Sequence, residues 1–556
     1  MPALLTKGTL FACPLTLLLA IAAPSARAQD QPAPGSYSEA AKIISQNVKA
    51  SGGSHALSRV RTLSLQGTVA AAGDAPTGSF TLAVKSPNRY YSELNLGNRR
   101  FIEAFNGKSA WRLDSSASPA TMLGPDTQEM VVEAQIASSH LLNLKKDALA
   151  ASLVGHAQVA GNDALEISVT SPFGATHHLF FDADSHLLVK DSAVLDGVPI
   201  EFVYSSYSRE SGVQIPHHLA IRRGDESFDV TISSAEVNGP IGERIFDVPI
   251  RSQVKLPDLK ALFKEIDANQ KAMDELRHRY AGTKVEEDFM YRSPGQVKSH
   301  DSKESNFFYM DSEEIDIVRK RNGKPLADAD AKAEEESARK RVEAIRKSRA
   351  EEAAKKEKEA AAAKDSGGKD SAGQQPNDAD SDSGKDGDKD DGDVGIEMFL
   401  RIDEFVNPRR ERFRGQDVLV FDFEANPEHK PRGFTEKIVQ KLAGTIWIDE
   451  KAHDVIRLEA FFARDEKILG GLLATIGQGT AYVFEQEYFD NSVWLPTYEE
   501  VYFGVRVLMV KGFHGSTTTR YSNYSKFDVD AAYPPKTPAP PALPAASVPL
   551  SLPPHR

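Results

Sequence analysis

The chain has a single cysteine among its 556 residues, Cys13, and that one sits close to the start. Residues 1–28 carry Lys7, an apolar run from Leu10 to Ala23 and the small-residue site Ala26-Arg27-Ala28. This is the layout of a secretory signal peptide cleaved after Ala28, with a run too short to anchor in a membrane. Leu10-Phe11-Ala12-Cys13 also reads as a lipidation box, but most of the apolar run follows the cysteine, which is the wrong order. Cleavage removes Cys13, so the mature chain has neither disulfides nor thiol chemistry and depends on ordinary cores. No later segment reaches ~18 uninterrupted apolar residues, the span of a membrane helix. Ile468–Phe484 comes closest, and Gly470, Gly471, Gly477, Gln478 and Gly479 interrupt it. Basic excess is missing too. A net charge of −13 argues against a nucleic-acid binder, which needs a basic patch. Catalytic signatures are equally scarce: HExxH, GxSxG, GxxxxGK[ST] and paired CxxC do not occur.

A chain of this length exceeds one compact core and points to two or three domains. Its charge is unevenly spread. Asp365–Asp393 holds ten Asp against three Lys, a net of −7, so the folded parts are closer to neutral. That segment reads as a disordered acidic linker. Just before it, 328–364 is rich in Ala, Glu, Lys and Arg and reads as a solvated single helix. Its apolar residues, Val342 and Ile345, look too few for a core-facing stripe. Gln29–Gly35 is a short leader. The tail 533–556 carries nine of the 31 prolines and reads as an extended, disordered arm.

Between these pieces the pattern is antiparallel β with a few helices, an α+β class. Ser38–Gly52 is an amphipathic helix with Ala41, Ile44 and Val48 on one face. Alternation then begins: Leu63, Leu65 and Val69 point one way, and Phe80, Leu82 and Val84 repeat the scheme. Asn106-Gly107 is a hairpin signal leading to Trp111. Asp126–Val154 switches to helical spacing, and after Gly155 a β-meander runs to Asp247. The second half repeats the plan. Gly161-Asn162-Asp163 matches Gly415-Gln416-Asp417, and Asp182…His186 matches Asp449…His453 at identical spacing. Val213-Gln214-Ile215-Pro216 matches Val493-Trp494-Leu495-Pro496, and Phe246-Asp247-Val248 matches Phe527-Asp528-Val529. Four anchors in one order indicate a duplicated module. The second copy opens with a helix through Leu259, Leu262, Phe263, Ile266 and Leu276, and the charged helix and linker interrupt it where the first copy carries its helical insertion.

Candidate chemistry is sparse. His177-His178 and His217-His218 are adjacent on strand-like runs, so each pair points to opposite faces and cannot chelate one metal together. Asp182/His186 and Asp449/His453 could be acid/base dyads, but each also reads as a hairpin in which Asp satisfies local backbone N–H groups. A duplicated scaffold would keep such a turn. Asp386-Gly387-Asp388-Lys389-Asp390 with Glu397 has part of an EF-hand spacing, but Asp391 stands where the turn needs glycine. No cofactor and no metal site is assigned.

Several of these elements together resemble one family. They are the helix ending in Gly52-Gly53, the strand Leu63-Ser64-Leu65-Gln66-Gly67, and the turn Lys85-Ser86-Pro87-Asn88-Arg89-Tyr90. The hairpin at Asn106-Gly107 and the closing Phe246-Asp247-Val248-Pro249 complete the set. The combination resembles the LolA/LolB-like superfamily of periplasmic, outer-membrane lipoprotein-sorting proteins, over roughly 36–250 and more weakly over 259–530. The resemblance implies two tandem curved antiparallel half-barrels, each closed by helices over an apolar inner face. It also implies a non-enzymatic periplasmic role toward lipid, acyl chains or lipidated envelope proteins. Leu63, Leu65, Val69, Phe80, Leu82, Val84 and Trp111 are the candidates for the ligand-facing surface, with plain core as the alternative reading. A structural or sensory envelope protein that binds another protein is the second functional reading, and a hydrolase using the Asp/His positions is the third.

Overall fold

The computed structural model describes residues 35–71, 78–249, 258–365 and 401–527, without 98, 115–117, 196, 278, 294–295, 311–312, 463–465, 469–473, 478, 491 and 508–510. The expected signal peptide, the acidic segment past Asp365, the whole of the EF-hand-like stretch and the proline-rich tail lie outside the described residues.

The first half runs α1 (Gly35–Ala50), α2 (Ser54–Leu57), β1 (Thr62–Ala71), β2 (Gly78–Lys85), β3 (Arg89–Asn95), β4 (Arg100–Phe105), β5 (Ala110–Asp114), β6 (Ala120–Thr121), α3 (Pro125–Ser139), β7 (Ala150–Val159), β8 (Asn162–Thr170), β9 (Thr176–Asp182), β10 (Leu188–Leu195), β11 (Val198–Glu210), β12 (Val213–Arg223) and β13 (Glu226–Val237). The second runs α4 (Leu259–Arg277), β14 (Tyr280–Ser293), β15 (Gln296–Met310), β16 (Glu313–Arg321), β17 (Lys324–Pro325), α5 (Asp328–Asp365), β18 (Asp403–Phe413), β19 (Gln416–Ala425), α6 (Gly433–Val439), β20 (Leu442–Asp449), β21 (Val455–Phe462), β22 (Glu466–Ile468), β23 (Ala474–Ile476), β24 (Ala481–Phe489), β25 (Val493–Val507) and β26 (Lys511–Lys526).

Each half forms one open antiparallel sheet of 13 strands. In the first the order is β6-β5-β4-β3-β2-β1-β13-β12-β11-β10-β9-β8-β7, so the first strand pairs with the last and β6 and β7 lie at opposite edges. The second has the same plan: β14 pairs with β26, and β17 and β18 lie at opposite edges. The connection between edges is α3 in the first sheet, and α5 with the residues that follow it in the second. Alternation sets the register. Leu63, Val84, Tyr90, Phe105 and Ala110 stand opposite one another across β1–β5 and are all buried on one face.

The first sheet is strongly curved. Strands β4 and β10 are seven strand spacings apart, about 33 Å if the sheet were flat. Helix α3, only about 10–12 Å across, nevertheless touches both. The sheet therefore wraps around α3. That helix is buried nearly all round, with Met130 and Ala134 in one cluster and Val132 and Ile136 in another.

Three helical expectations need correction. The helical segment ends at Ser139, because His140 and Leu141 take positive φ (49° and 58°), and strand β7 has started by Ala150. In α1 the buried stripe is Ala40, Ile43, Ile44 and Asn47, while Ala41 is exposed. The charged helix α5 is not simply solvated. Ala338 and Val342 are buried and Ile345 packs beside them, against Phe308, Met310, Ile315 and Ile317. Exposed pairs such as Arg319–Glu335 at 2.8 Å and Arg341–Glu313 at 3.0 Å flank this seam. One small and two larger apolar residues at i, i+4 and i+7 suffice, because the sheet presents four large partners.

Candidate functional site

The first sheet places the seven expected ligand-facing residues on two faces. Leu63, Leu65, Val69, Phe80 and Val84 are buried in one cluster, with Leu82 packed against it. Met130 and Ala134 of α3 pack against them, and Leu219, Ile221 and Val230 of the neighbouring β12 and β13 continue the same buried cluster. Trp111 is one residue out of step. It sits in the row Ala83–Tyr91–Ala104–Trp111, and so on the other face. There it packs with Phe246 and Val248, and its Nε1 donates to the Phe246 carbonyl at 2.7 Å. Parity along the strand alone separates it from the other six.

The Asp182/His186 and Asp449/His453 positions are turns of one design. Asp182 Oδ1 accepts from the backbone N–H of Asp184 and Ser185 at 3.2 and 2.7 Å, and Asp449 Oδ1 accepts from those of Lys451 and Ala452 at 2.9 and 2.6 Å. His186 and His453 follow with positive φ (59° and 53°). An asparagine of the opening helix clamps each turn. Asn47 Nδ2 donates to the His186 carbonyl at 3.0 Å, and Asn269 Nδ2 to the Ala452 carbonyl at 2.8 Å. Each aspartate is committed to its own backbone, which leaves neither set up as the base of a dyad.

The two sheets meet through a buried polar network that the sequence did not signal. Asn106 Nδ2 donates to Asp422 Oδ2 at 3.0 Å and to Asp247 Oδ1 at 3.2 Å, and Asn407 Nδ2 donates to the same two carboxylates at 3.0 and 3.2 Å. Arg409 pairs with Asp422 at 3.0 Å and with Glu411 at 2.8 Å, and Glu411 accepts from the Thr121 hydroxyl at 2.6 Å. Apolar anchors flank this network. Phe173 packs with Ala481, Val483, Tyr498 and Tyr502 of the second half, its ring centroid 4.8 Å from that of Tyr502.

Beside this junction lies a small cleft lined by residues of both halves. The first half lines it with Phe105, Met122, Val131 and Phe173, and the second with Phe461, Phe462 and Ala481. Ser109, Thr127 and Ser171 also line it, and their hydroxyl oxygens are buried without a hydrogen-bond partner among the described residues. None of the seven residues expected to face a ligand lines this cleft. Gly444 forms part of the wall. A side chain there would place its Cβ 1.9 Å from the Glu459 carbonyl oxygen, so only glycine lets β20 and β21 close.

The histidine pair 177–178 divides between faces as strand parity requires. His178 points outward to Glu166 at 2.7 Å. His177 points inward, where partners from other elements surround it. Its Nδ1 lies 3.0 Å from Asp191 and 3.7 Å from Glu133, and its Nε2 lies 3.3 Å from Glu129. Burial raises the Glu133 carboxyl to about 8, with Asp191 adding to the effect. Burial alone would lower the His177 imidazole, but Asp191, Glu129 and Glu133 hold it well above its ordinary value. The sequence shows that the two histidines take opposite faces, but neither which one is buried nor the acids from α3 and β10 that meet it.

No protein-family model matches the chain, and no curated protein matches its sequence. Among solved structures it is similar to an outer membrane lipoprotein-sorting protein domain from Vibrio parahaemolyticus, at 10% identity and a TM-score of 0.26, over 38% of this chain and 97% of that one. A LolA superfamily protein from Nitrosomonas europaea matches at 11% identity and a TM-score of 0.26, over 37% of this chain and 96% of that one. The Pseudomonas aeruginosa MucA/MucB complex matches at 10% identity and a TM-score of 0.14, over 88% of this chain and 99% of that one. Likeness at this level assigns no ligand and no partner to this chain. The similarity found is to LolA-superfamily and lipoprotein-sorting structures over somewhat more than a third of its length, and to the MucA/MucB complex over most of it.

Proposed function

We propose that this protein is a non-enzymatic binding protein of the cell envelope that takes a lipid, an acyl chain or a lipidated protein segment. One observation carries the reading: the cleft between the two sheets joins an apolar wall to buried hydroxyls without partners, the composition of a site for an amphiphile. In this reading residues 1–28 direct export to the periplasm and are removed. Residues 36–250 and 259–530 are two copies of one half-barrel, the second interrupted by 328–364 and 365–393. The shared sheet closure and the paired Asp/His turns support the duplication. Leu63, Leu65, Val69, Phe80, Leu82 and Val84 form the apolar floor beneath α3, a reserve surface that a ligand reaches only when α3 lifts.

The test is native mass spectrometry and solvent extraction of the mature protein isolated from envelope fractions. Recovery of one bound amphiphile per chain is the expected outcome. Phe461→Asp, which puts a charge on the apolar wall, should abolish recovery while circular dichroism stays unchanged. A wild-type protein that comes out empty and takes up no fatty acid or phospholipid when challenged would refute the reading.

A further inference from the structure

We propose that Glu133, His177 and Asp191 form a binding site for a divalent first-row transition-metal ion that fastens α3 to the sheet, with Glu129 orienting the histidine.

The donors come from three separate elements, α3, β9 and β10, and converge. Their ligand atoms all lie within 4.8 Å of one another. His177 Nδ1 is 3.0 Å from an Asp191 oxygen and 3.7 Å from a Glu133 oxygen. Ligands about 2.1 Å from one tetrahedral ion stand about 3.4 Å from each other, so these separations already match a shared ion. His177 and Asp191 are buried, at 3% and 2% exposure. Three carboxylates, counting Glu129, share this interior with one imidazole, an excess of negative charge that a divalent cation would neutralise.

The far side of the ring supplies a second, independent observation. Glu129 is 6% exposed, its Oε2 is directed at His177 Nε2 from 3.3 Å, and neither atom makes an aligned hydrogen bond. With Nδ1 on a metal, Nε2 must carry the proton. A carboxylate at that nitrogen is the outer partner that fixes the tautomer and ring plane of a metal-bound histidine. One imidazole with two carboxylates suits zinc, iron or cobalt. Calcium would call for six to eight oxygen donors, and magnesium for a largely hydrated octahedron. The ion would staple the helix that occupies the trough of the first sheet to strands β9 and β10.

The experiment uses the full mature chain, stripped with a chelator and titrated with Zn²⁺ by calorimetry and with Co²⁺ by visible absorption. Uptake of one equivalent is expected, with a tetrahedral Co²⁺ spectrum and a rise in Tm that depends on Zn²⁺ concentration. His177→Ala and Asp191→Asn should abolish uptake. Glu129→Gln should keep the stoichiometry and weaken affinity about 10–100-fold. His178→Ala, on the opposite face, should change nothing. If His177→Ala does not fold, Glu133→Gln decides in its place by losing the Co²⁺ spectrum. No saturable uptake by the wild type, uptake unchanged in the His177 or Glu133 variant, or equal loss in His178→Ala would each overturn the proposal.

Discussion

The hydrogen bond between Asn106 and Asp422 bridges the two halves, and a double-mutant cycle across it tests how they dock. Asn106 is 3% exposed and Asp422 fully buried, with 3.0 Å between donor and acceptor. A hydrogen bond to a charged group is worth about 1.5–3 kcal/mol. Asn106 Nδ2 also serves Asp247 at 3.2 Å, so the lower end applies, and the coupling should be about 1.5 kcal/mol. Asn106→Ala also loses the turn bonds that Oδ1 accepts from the N–H groups of Lys108 and Ser109, which the cycle subtracts. Asp422→Ala leaves Arg409 still paired with Glu411 and bonded to the Thr121 hydroxyl and Asn407 carbonyl, and should cost about 1.5–3 kcal/mol by itself. Urea unfolding followed by tryptophan fluorescence is the assay. Trp111 reports on the first half and Trp447 and Trp494 on the second, so Trp111→Phe in the background separates the two transitions. Additivity of the two single variants within about 0.5 kcal/mol would refute the contact, and with it the docking of the sheets.

Phe173→Ala removes the first half's aromatic anchor from the second half's core and should cost about 3–5 kcal/mol, splitting a joint melting transition into two in calorimetry. Burial, with Glu314 nearby, raises the Glu499 carboxyl to about 7, so the folded chain holds a proton there that the unfolded chain releases near 4.5. Its contribution is complete below about 4.5 and is lost as pH rises to about 7, so stability should fall across that window by at most ~1.4 kcal/mol per pH unit. Asp454 and Asp316, both raised to about 6 with burial as the leading cause, act in the same direction. Urea midpoints from pH 4.5 to 7.5 should show a shallower slope in Glu499→Gln. Gly444→Ala should destabilise the second half by more than about 3 kcal/mol, because backbone must move to admit the Cβ; a stable, soluble variant by thermal melting would contradict the close approach of β20 and β21.

Strands and their facing were legible in the sequence because parity is local. Leu63, Leu65, Phe80 and Val84 declare their side within a few residues, and the Asp182 and Asp449 turns repeat recognisable chemistry. What parity leaves open is the identity of whatever lies opposite. Trp111 reads as an inner-face residue in the sequence because the Asn106-Gly107 turn hides that Ala110, and not Trp111, continues the inner row from Phe105. Asn106 and Asp422 lie 316 positions apart, and neither neighbourhood hints at the other. The same holds for His177, whose acids come from a helix and a strand that a linear reading keeps apart. Helix α5 misled for a different reason. Docking depends on how apolar the receiving sheet edge is, and the helix's own composition carries no record of that.

The pairing of first strand with last has a kinetic meaning. Leu63 lies opposite Val237, and Tyr280 opposite Lys526. Neither sheet can be completed until nearly all of its half has been synthesised, and such distant pairings are slow to form. Until then β1 and β14 each lack one of the two strands that flank them. Each half built this way keeps its sheet open until its own last strand has been made, so the first can close while the second is still being synthesised.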